Sequence, residues 1–236
     1  MNHVVSFSGG KDSTAMLLMM LEKGMQIDRI FCVDTTKEFP QMYQHIEKVQ
    51  KLIKKYDIKI EILKIDFDYY FSEHVKTKGK NIGKKGYGFP DFQNRWCTSL
   101  KREIVRKHLH HDDIQYHGIA FDEIERTKKN SDDIRYPLVD WKITEKQALD
   151  YCYSKGLDWG GLYEKFSRVS CWCCPLSRIG ELKILYNEFP NLWNKLQDMD
   201  KKSFREFRSD YTLSELSQKF YCENLTPDMF VGNYES

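Results

Sequence analysis

Residues 6–14 read SFSGGKDST, and this stretch decides the fold. A short apolar segment, His3-Val4-Val5, precedes it, and an apolar segment with helical character, Ala15 to Leu21, follows it. This order predicts a strand, a glycine turn and the start of a helix, where backbone N–H groups and the helix dipole favour a bound anion. We therefore predict a phosphate site, with a simple helix N-cap after a turn as the alternative. The predicted phosphate-binding residues are Ser6, Ser8, Gly9, Gly10, Lys11, Asp12, Ser13 and Thr14.

The pattern around this loop alternates strands with helices. Strands are predicted at 4–7, 27–33 and 58–65 and helices at 12–23 and 39–55, followed by a helix at 98–109, a strand at 114–119 and a helix from Thr144 to 155. This order predicts an α/β fold with a parallel twisted sheet flanked by helices. Residues 1–180 are expected to form a nucleotide-binding domain that includes a cysteine-rich loop, and residues 181–236 a helical C-terminal extension.

Composition narrows the class of protein only a little. The 236-residue chain has a net charge of +2 and a sequence pI near 8.0, values that neither indicate nor exclude nucleic acid as a partner. Its seven cysteines do not suggest a disulfide framework, and the sequence lacks an apolar run long enough to span a membrane. Because the chain enters a strand at once, no signal peptide is predicted, and a cytoplasmic location is expected.

The glycine loop differs from GxxxxGK[ST] and from GxGxxG, and it resembles the SGGxDS loop of the PP-loop ATP pyrophosphatases. That superfamily includes the small subunit of ATP sulfurylase, tRNA thiolation enzymes, and the reductases of phosphoadenosine phosphosulfate (PAPS) and adenosine phosphosulfate (APS). The resemblance implies an adenine nucleotide alpha hydrolase-like fold, a loop that holds the pyrophosphate end of ATP with Mg²⁺, and an adenylated intermediate. On the same resemblance, Lys11 and Asp12 are expected to be catalytic.

Two further stretches resemble elements of the PAPS reductase and ATP sulfurylase branch. Residues 34–40, DTTKEFP, resemble its D-T-x-x-E-F-P element, which implies that Asp34 contacts the nucleotide or its Mg²⁺; the alternative is that Asp34 caps a turn. Residues 118–126 resemble the G-x-R-x-x-E-S-x-x-R segment that contacts substrate phosphate or sulfate, which implies binding roles for Gly118, Glu123 and Arg126. Ala120 replaces the arginine of that segment, which weakens the case for a compact sulfonucleotide substrate.

Four cysteines form the second candidate site. Cys97 lies at a predicted helix start, a position that favours a thiolate, and Cys171, Cys173 and Cys174 lie within four residues of sequence. The set resembles the cluster ligands of APS reductases and related thiotransferases, which implies that Cys97, Cys171 and Cys174 hold a [4Fe-4S] cluster and that Cys97 is catalytic. The fourth iron either takes Cys173 or keeps an open position. A structural Zn²⁺ site and a reactive cysteine pair without metal are the alternatives.

Together these resemblances imply an enzyme that binds ATP, activates a substrate by adenylation and takes part in sulfur transfer. Its expected partners are an adenine nucleotide, a sulfur donor and, as one option, a nucleic acid substrate; a homodimer is left open. A cation-rich loop with interleaved aromatic rings makes base stacking feasible, although a solvated loop is equally compatible. Its residues are Lys76, Lys78, Lys80, Lys84, Lys85 and Arg95, with Tyr87, Phe89, Phe92 and Trp96.

Two other functions stay open. A PAPS or APS reductase would share the fold, but such enzymes usually lose the intact SGGKDS stretch and carry a C-terminal E-C-G-L-H segment, which the residues around Cys222 do not match. A non-catalytic nucleotide-binding subunit with structural zinc would resemble the ATP sulfurylase small subunit over the first 65 residues, but it gives no reason for the CWCC stretch at 171–174.

Overall fold

The computed structural model describes residues 1–79, 81–128 and 132–225. Within these ranges one sheet has the strand order β3-β2-β1-β4-β5, and every neighbouring pair of strands is parallel. The strands are β1 His3–Ser6, β2 Arg29–Asp34, β3 Ile60–Lys64, β4 Ile114–His117 and β5 Ile134–Arg135. The predicted α/β fold with a parallel sheet is confirmed. Because parallel strands need long crossover connections, the segments between them have room for helices.

Helices form most of these connections and most of the described chain after residue 178. Thr144 starts one of them as predicted, in a capping box with Gln147. The helices are α1 Lys11–Glu22, α2 Pro40–Ile53, α3 Trp96–His108, α4 Pro137–Asp140, α5 Glu145–Ser154, α6 Leu162–Lys165, α7 Ile179–Glu188, α8 Pro190–Lys202 and α9 Leu213–Leu225. The sequence pattern does not predict β5 or α4, since a two-residue strand and a single helical turn leave no periodic signal. In the described ranges, none of the helices is both long enough and apolar enough to cross a membrane.

Contacts among the described residues divide the chain into two compact units. Unit 1 comprises residues 1–65 and 98–170, and unit 2 comprises residues 66–97 together with the chain from 171 onward. The cysteine-rich loop therefore groups with residues 66–97 and the C-terminal helices, whereas the sequence analysis assigns it to the nucleotide-binding part. The expected domain boundary at residue 180 stays a prediction, and residues 226–236 of the expected extension lie outside the described residues.

Unit 1 has its core on the sheet. Val4, Phe31 and Leu63 pack together with side chains of α3 such as Ile104. Val5, the next residue of β1, points to the opposite face and is fully buried, so both faces of the sheet are covered. Helix α1 contacts α5 and is buried along most of its length, because its apolar run leaves only a narrow polar side.

Unit 2 has a core of aromatic rings. Phe71 packs against Phe67 and Phe89, Phe67 packs against Trp96, and Phe89 packs against Phe207, with ring centroids 4.9–5.9 Å apart. On sequence alone, Phe89 and Trp96 are candidate platforms for base stacking, but their side chains are only 2% and 5% exposed. For these two rings that expectation is wrong, because the core of unit 2 uses them.

Candidate functional site

The order of the strands creates a crevice at the carboxyl ends of β1 and β4. Strand β1 lies between β2 and β4, so the chain continues to one side of β1 first and returns to its other side later. Open parallel sheets bind ligands at such a topological switch point, where the direction of strand order reverses. The glycine turn and the first turn of α1 follow β1 here, and Gly118 follows β4. Ser6, the last residue of β1, is aligned with Phe31 of β2 and His117 of β4. The predicted phosphate loop and Gly118 therefore share one edge of the sheet.

Hydrogen bonds from neighbouring side chains fix the backbone conformation of the glycine turn. Gly9 has a φ of 76°, which favours glycine, and its carbonyl accepts a hydrogen bond of 2.8 Å from Nε1 of Trp159. Gly10 is the N-cap of α1 and brings no side chain of its own to cap the first turn, where the Lys11 N–H donates to the Tyr163 hydroxyl. A helix N-terminus of this kind favours a bound anion. Oγ of the buried Ser13 accepts from the Ser8 N–H at 3.2 Å and lies 3.0 Å from the Ser8 hydroxyl.

Gly118 allows β4 to approach the start of α1 closely. A Cβ atom added here would lie 2.6 Å from the backbone N and Cα of Ser13 and 2.9 Å from the carbonyl carbon of Asp12. A side chain does not fit at that separation, since carbon atoms in contact are about 3.5 Å apart. The resemblance implies that Gly118 binds the ligand, and the structure adds a packing requirement that sets the position of the phosphate loop.

Lys11 is a buried cation surrounded by carboxylates. Its ammonium group donates to Asp12 at 2.9 Å and also pairs with Glu145, the first residue of α5. Burial lowers the pKa of Lys11, but hydrogen bonds to Glu145 and Asp12 outweigh this effect, so the pKa is raised overall. The side chain therefore supplies a fixed positive charge beside the glycine turn.

Three carboxylates meet next to this lysine. One oxygen each from Asp12, Glu123 and Glu145 lies within 4.8 Å of the other two. Burial, together with the charges of Glu145 and Glu123, raises the pKa of Asp12 in spite of its bonds to Lys11. Carboxylate oxygens are the ligands that Mg²⁺ prefers, so this group has the donor chemistry for a divalent cation.

A buried network supports the first turn of α1 from within the unit. Thr14 is fully buried, and its Oγ1 lies 3.0 Å from Nε2 of His45, whose ring stacks on Trp159 at 4.2 Å. Burial lowers the pKa of His45 to about 3, which keeps the imidazole neutral. The Lys11 N–H donates to the hydroxyl of Tyr163 at 2.9 Å. A contact between Thr14 and a nucleotide stays a prediction, because the Thr14 hydroxyl is buried against His45.

The remaining predicted ligands of unit 1 lie in local contacts. Asp34 ends β2, and its Oδ1 accepts hydrogen bonds from the Thr36 N–H at 2.7 Å and from the Tyr43 hydroxyl at 2.9 Å. This is the turn-capping role that the sequence analysis leaves open beside a nucleotide contact. Arg126 forms an ion pair with Glu123 inside the 3₁₀ turn Phe121–Thr127. The binding roles of Asp34 and Arg126 stay predictions.

All four predicted cysteine ligands lie in unit 2. Cys97 is the second residue of α3, and Cys173 is almost completely buried. Cys171 and Cys174 are joined by a backbone hydrogen bond of 3.1 Å, which forms a tight turn. Within the described ranges no disulfide joins the cysteines, and no three of their sulfur atoms lie within 4.8 Å of one another.

Arg208 holds the chain that follows these cysteines. Its guanidinium donates to the carbonyls of Pro175 and Ser177, each at 2.7 Å, and pairs with Asp210 at 2.8 Å. The hydrogen bond to Asp210, with the charges of Asp210 and Cys174, raises the pKa of Arg208. The guanidinium therefore joins two carbonyls of the cysteine loop to one carboxylate.

These features agree with a match to a known family. The model of the phosphoadenosine phosphosulfate reductase domain matches residues 2–177 of the 236 residues. The chain belongs to this family. Its predicted place in the PP-loop pyrophosphatase superfamily, in the PAPS reductase-like branch, is thereby confirmed.

This family member is similar to a longer curated protein and, at lower identity, to two solved structures. An uncharacterised protein of Methanocaldococcus jannaschii, MJ0066, is 30% identical in an alignment 231 positions long that covers 90% of this chain and 43% of the relative. The U34-tRNA thiolase NcsA from Methanococcus maripaludis, solved with its [4Fe-4S] cluster, is 15% identical with a TM-score of 0.44, over 85% of this chain and 71% of that one. NMN synthetase from Francisella tularensis is 10% identical with a TM-score of 0.44, over 99% of this chain and 90% of that one. The chain spans less than half the length of the curated relatives that it matches.

Sequence reasoning missed several residues around the phosphate loop of this family member. Glu145 is visible in the sequence only as the residue after a good N-cap, and nothing local links it to Lys11. Trp159 and Tyr163 belong to the stretch WGGLY, whose two glycines have positive φ and signal an unusual turn. His117 has a buried Nε2 without a hydrogen-bond partner among the described residues, and it lies at the same edge of the sheet. A buried polar atom of this kind normally has a partner, which fits a site that receives a polar ligand.

Proposed function

We propose that this chain is an ATP-dependent enzyme that adenylates an acceptor oxygen and takes part in its replacement by sulfur. The observation that carries the proposal is the Lys11 ammonium at the start of α1, at the switch point of the sheet, beside three carboxylates. This arrangement combines a phosphate loop, a fixed cation and donors for a divalent metal in one place.

The first step is an attack of the acceptor oxygen on the α-phosphorus of ATP. A new P–O bond forms, the bond to the β-phosphate oxygen breaks, and pyrophosphate leaves with the electron pair. Lys11 and the first amides of α1 would stabilise the charge that develops on the leaving group. Asp12, Glu123 and Glu145 would hold Mg²⁺, which neutralises phosphate charge when it is bound. Asp34 stays a candidate for contact with the nucleotide or its metal ion.

The second step replaces AMP by sulfur. A hydrosulfide donor attacks the activated atom, the bond from that atom to the AMP oxygen breaks, and AMP leaves, so no oxidant or reductant is needed. Cys97, Cys171 and Cys174 would hold a [4Fe-4S] cluster, with Cys173 or an open position at the fourth iron, and such a cluster supplies a soft site for sulfide.

The test is a measurement of metal content and of pyrophosphate release on protein purified without oxygen. We expect about four iron and four sulfide per chain, with ATP-dependent pyrophosphate release. Cys171→Ser and Cys174→Ser should lose iron, while the matched control Cys222→Ser, an exposed cysteine of α9, should keep it. Stoichiometric zinc without iron, or ATP binding without turnover, would instead favour a nucleotide-binding subunit with structural zinc.

Membership of the family itself favours a second candidate, a sulfonucleotide reductase. This function predicts sulfite release from PAPS or APS with an external reductant, and no pyrophosphate release from ATP. The intact SGGKDS stretch and Ala120 in place of an arginine support the adenylating enzyme. Assaying both reactions on one preparation separates the two candidates.

A further inference from the structure

Unit 2 contains a cavity of about 300 Å³ that the proposed chemistry does not use. Its lining includes three cations, Lys76, Lys78 and Arg205, together with Tyr87 and Asn94. The volume is near the lower end for ligand pockets, enough for a nucleotide unit or a phosphate group. The side chains therefore form a small positively charged pocket with one aromatic wall.

Close backbone packing fixes the shape of this pocket. The backbone of Lys76 is held on both sides: its N–H donates to the carbonyl of Lys84 at 3.0 Å, and its carbonyl accepts from the N–H of Gly83 at 2.9 Å. Gly88 has a φ of 64°, and a Cβ atom there would lie 2.9 Å from Oγ of Ser203 and 3.3 Å from Cβ of Arg205. The glycine thus lets the segment that carries Arg205 lie against the cationic loop.

Lys76 is the unusual residue of the pocket, because it is a buried lysine without a carboxylate partner among the described residues. It is 8% exposed, and its ammonium lies 4.0 Å from the ring centroid of Phe204. Burial, followed by the charges of Arg205 and Lys84, lowers the pKa of Lys76. Arg205 does have a carboxylate partner, Asp91 at 2.6 Å. Buried charges are normally paired, so an anionic ligand would complete this site.

Exposed aromatic rings extend the surface beyond the pocket. Phe204 is 47% exposed, and Phe92 is 77% exposed with the Arg95 guanidinium 5.7 Å from its ring centroid. Tyr87 stacks on Trp96, the residue before Cys97, with ring centroids 5.4 Å apart. Cationic grooves with aromatic platforms are typical of proteins that bind single-stranded nucleic acid.

We propose that this pocket binds the phosphodiester backbone of a single-stranded nucleic acid, with Lys76, Lys78 and Arg205 on phosphate and Phe92 as a stacking platform. Identifying that nucleic acid as the acceptor for sulfur rests on the proposed function, whereas the binding site itself does not. Each cation that contacts a phosphate of a single strand contributes about 0.7 to the slope of log affinity against log salt concentration. At about 0.1 M salt this corresponds to a roughly fivefold loss of affinity for each cation removed.

The experiment is fluorescence anisotropy with a fluorescein-labelled, mixed-sequence single-stranded RNA, titrated at several salt concentrations. Lys78→Ala and Arg205→Ala should each weaken binding about fivefold at roughly 0.1 M salt and lower the slope by about 0.7. Phe92→Ala, which removes an exposed ring, should weaken binding at least about fivefold without changing the slope. Lys195→Ala, a change at an exposed lysine of α8 outside the pocket lining, is the matched control and should bind as the wild type does.

Two results would overturn the inference. The first is wild-type affinity and slope in Lys78→Ala and Arg205→Ala, and the second is absence of RNA binding by the wild type. In the second case, calorimetric binding of inorganic tripolyphosphate would make the pocket a site for free polyphosphate. Pyrophosphate release from ATP is measured on the same preparation. RNA binding without pyrophosphate release would contradict the proposed function only, and pyrophosphate release without RNA binding would contradict this inference only.

Discussion

Gly118→Ala is expected to disable the phosphate loop by moving the start of α1. The added Cβ atom would lie 2.6 Å from the backbone N and Cα of Ser13, and atoms in contact need about 3.5 Å, so one backbone must retreat by roughly 0.9 Å. Gly118 does not have a left-handed φ, so alanine adds no conformational strain and the substitution isolates the steric effect.

The size of this effect follows from the displacement. A misplacement of about 1 Å near reacting groups costs roughly 100-fold in rate, and overpacking costs about 1–3 kcal/mol of folding free energy. We therefore expect ATP-dependent pyrophosphate release to fall about 100-fold and Tm to fall by roughly 3–10 °C, which leaves the protein folded at room temperature.

Pyrophosphate release, ATP affinity and thermal unfolding are measured for Gly118→Ala beside Gly180→Ala. Gly180 lies in α7, where an added Cβ atom would meet nothing within 4 Å, so this control should keep wild-type activity. Its Tm should equal or slightly exceed that of the wild type, because alanine favours a helix more than glycine does. If Gly118→Ala unfolds cooperatively near the wild-type Tm and still releases pyrophosphate at the wild-type rate, the reasoning about the loop position is refuted.

Three other substitutions test separate parts of the structure. Lys11→Ala should lower pyrophosphate release by about 10²–10³ with iron content unchanged, while the exposed-lysine control Lys59→Ala keeps activity; loss of iron in Lys11→Ala would contradict the assigned role. Below pH 6.5 the unfolded state takes up a proton that His45, with its pKa lowered to about 3, does not bind in the folded state, so folding stability falls as pH falls. Between about pH 7 and pH 5 the free energy of unfolding of His45→Gln should therefore fall by about 2 kcal/mol less than that of the wild type, as measured by denaturant titrations. An equal fall in both proteins would contradict this reasoning. Arg208→Gln should reduce iron content by loosening the cysteine loop and Arg208→Lys should restore part of it; full iron in Arg208→Gln would show that the loop does not depend on this guanidinium.

The parts of the molecule that local chemistry determines could be predicted from the sequence. Gly9 needs a positive φ and Gly10 leaves a helix end uncapped, so the residues of the phosphate turn carry their own conformational signal. Thr144 and Gln147 specify a helix start through a capping box in the same way. Alternating apolar segments then suffice for a parallel sheet, because few chain orders satisfy right-handed crossovers.

The parts that depend on distant packing could not be predicted. Glu145 is 134 residues from Lys11 in sequence, and only the contact of α5 with α1 brings the two charges together. Phe89 and Trp96 lie between cations in the sequence and look like stacking platforms, but the core of unit 2 uses both rings. Gly118 is predicted only as a ligand-binding residue, and the sequence gives no sign that the backbone of Ser13, more than 100 positions away, also leaves no room for a Cβ atom there.

The pairing of Lys11 with Glu145 has a consequence for the order of binding events. The Lys11 ammonium has two carboxylate partners, Asp12 and Glu145, so under the proposed function pyrophosphate would compete with Glu145 for the same cation. A nucleotide without metal would bring negative charge to three carboxylates that lie within 4.8 Å of one another, which is unfavourable. A divalent cation removes this repulsion, because it can bind the carboxylates. Lys11 then exchanges its carboxylate partners for the phosphates. If this exchange operates, ATP affinity depends steeply on Mg²⁺ in the wild type, and Glu145→Gln weakens that dependence because the competing carboxylate is gone.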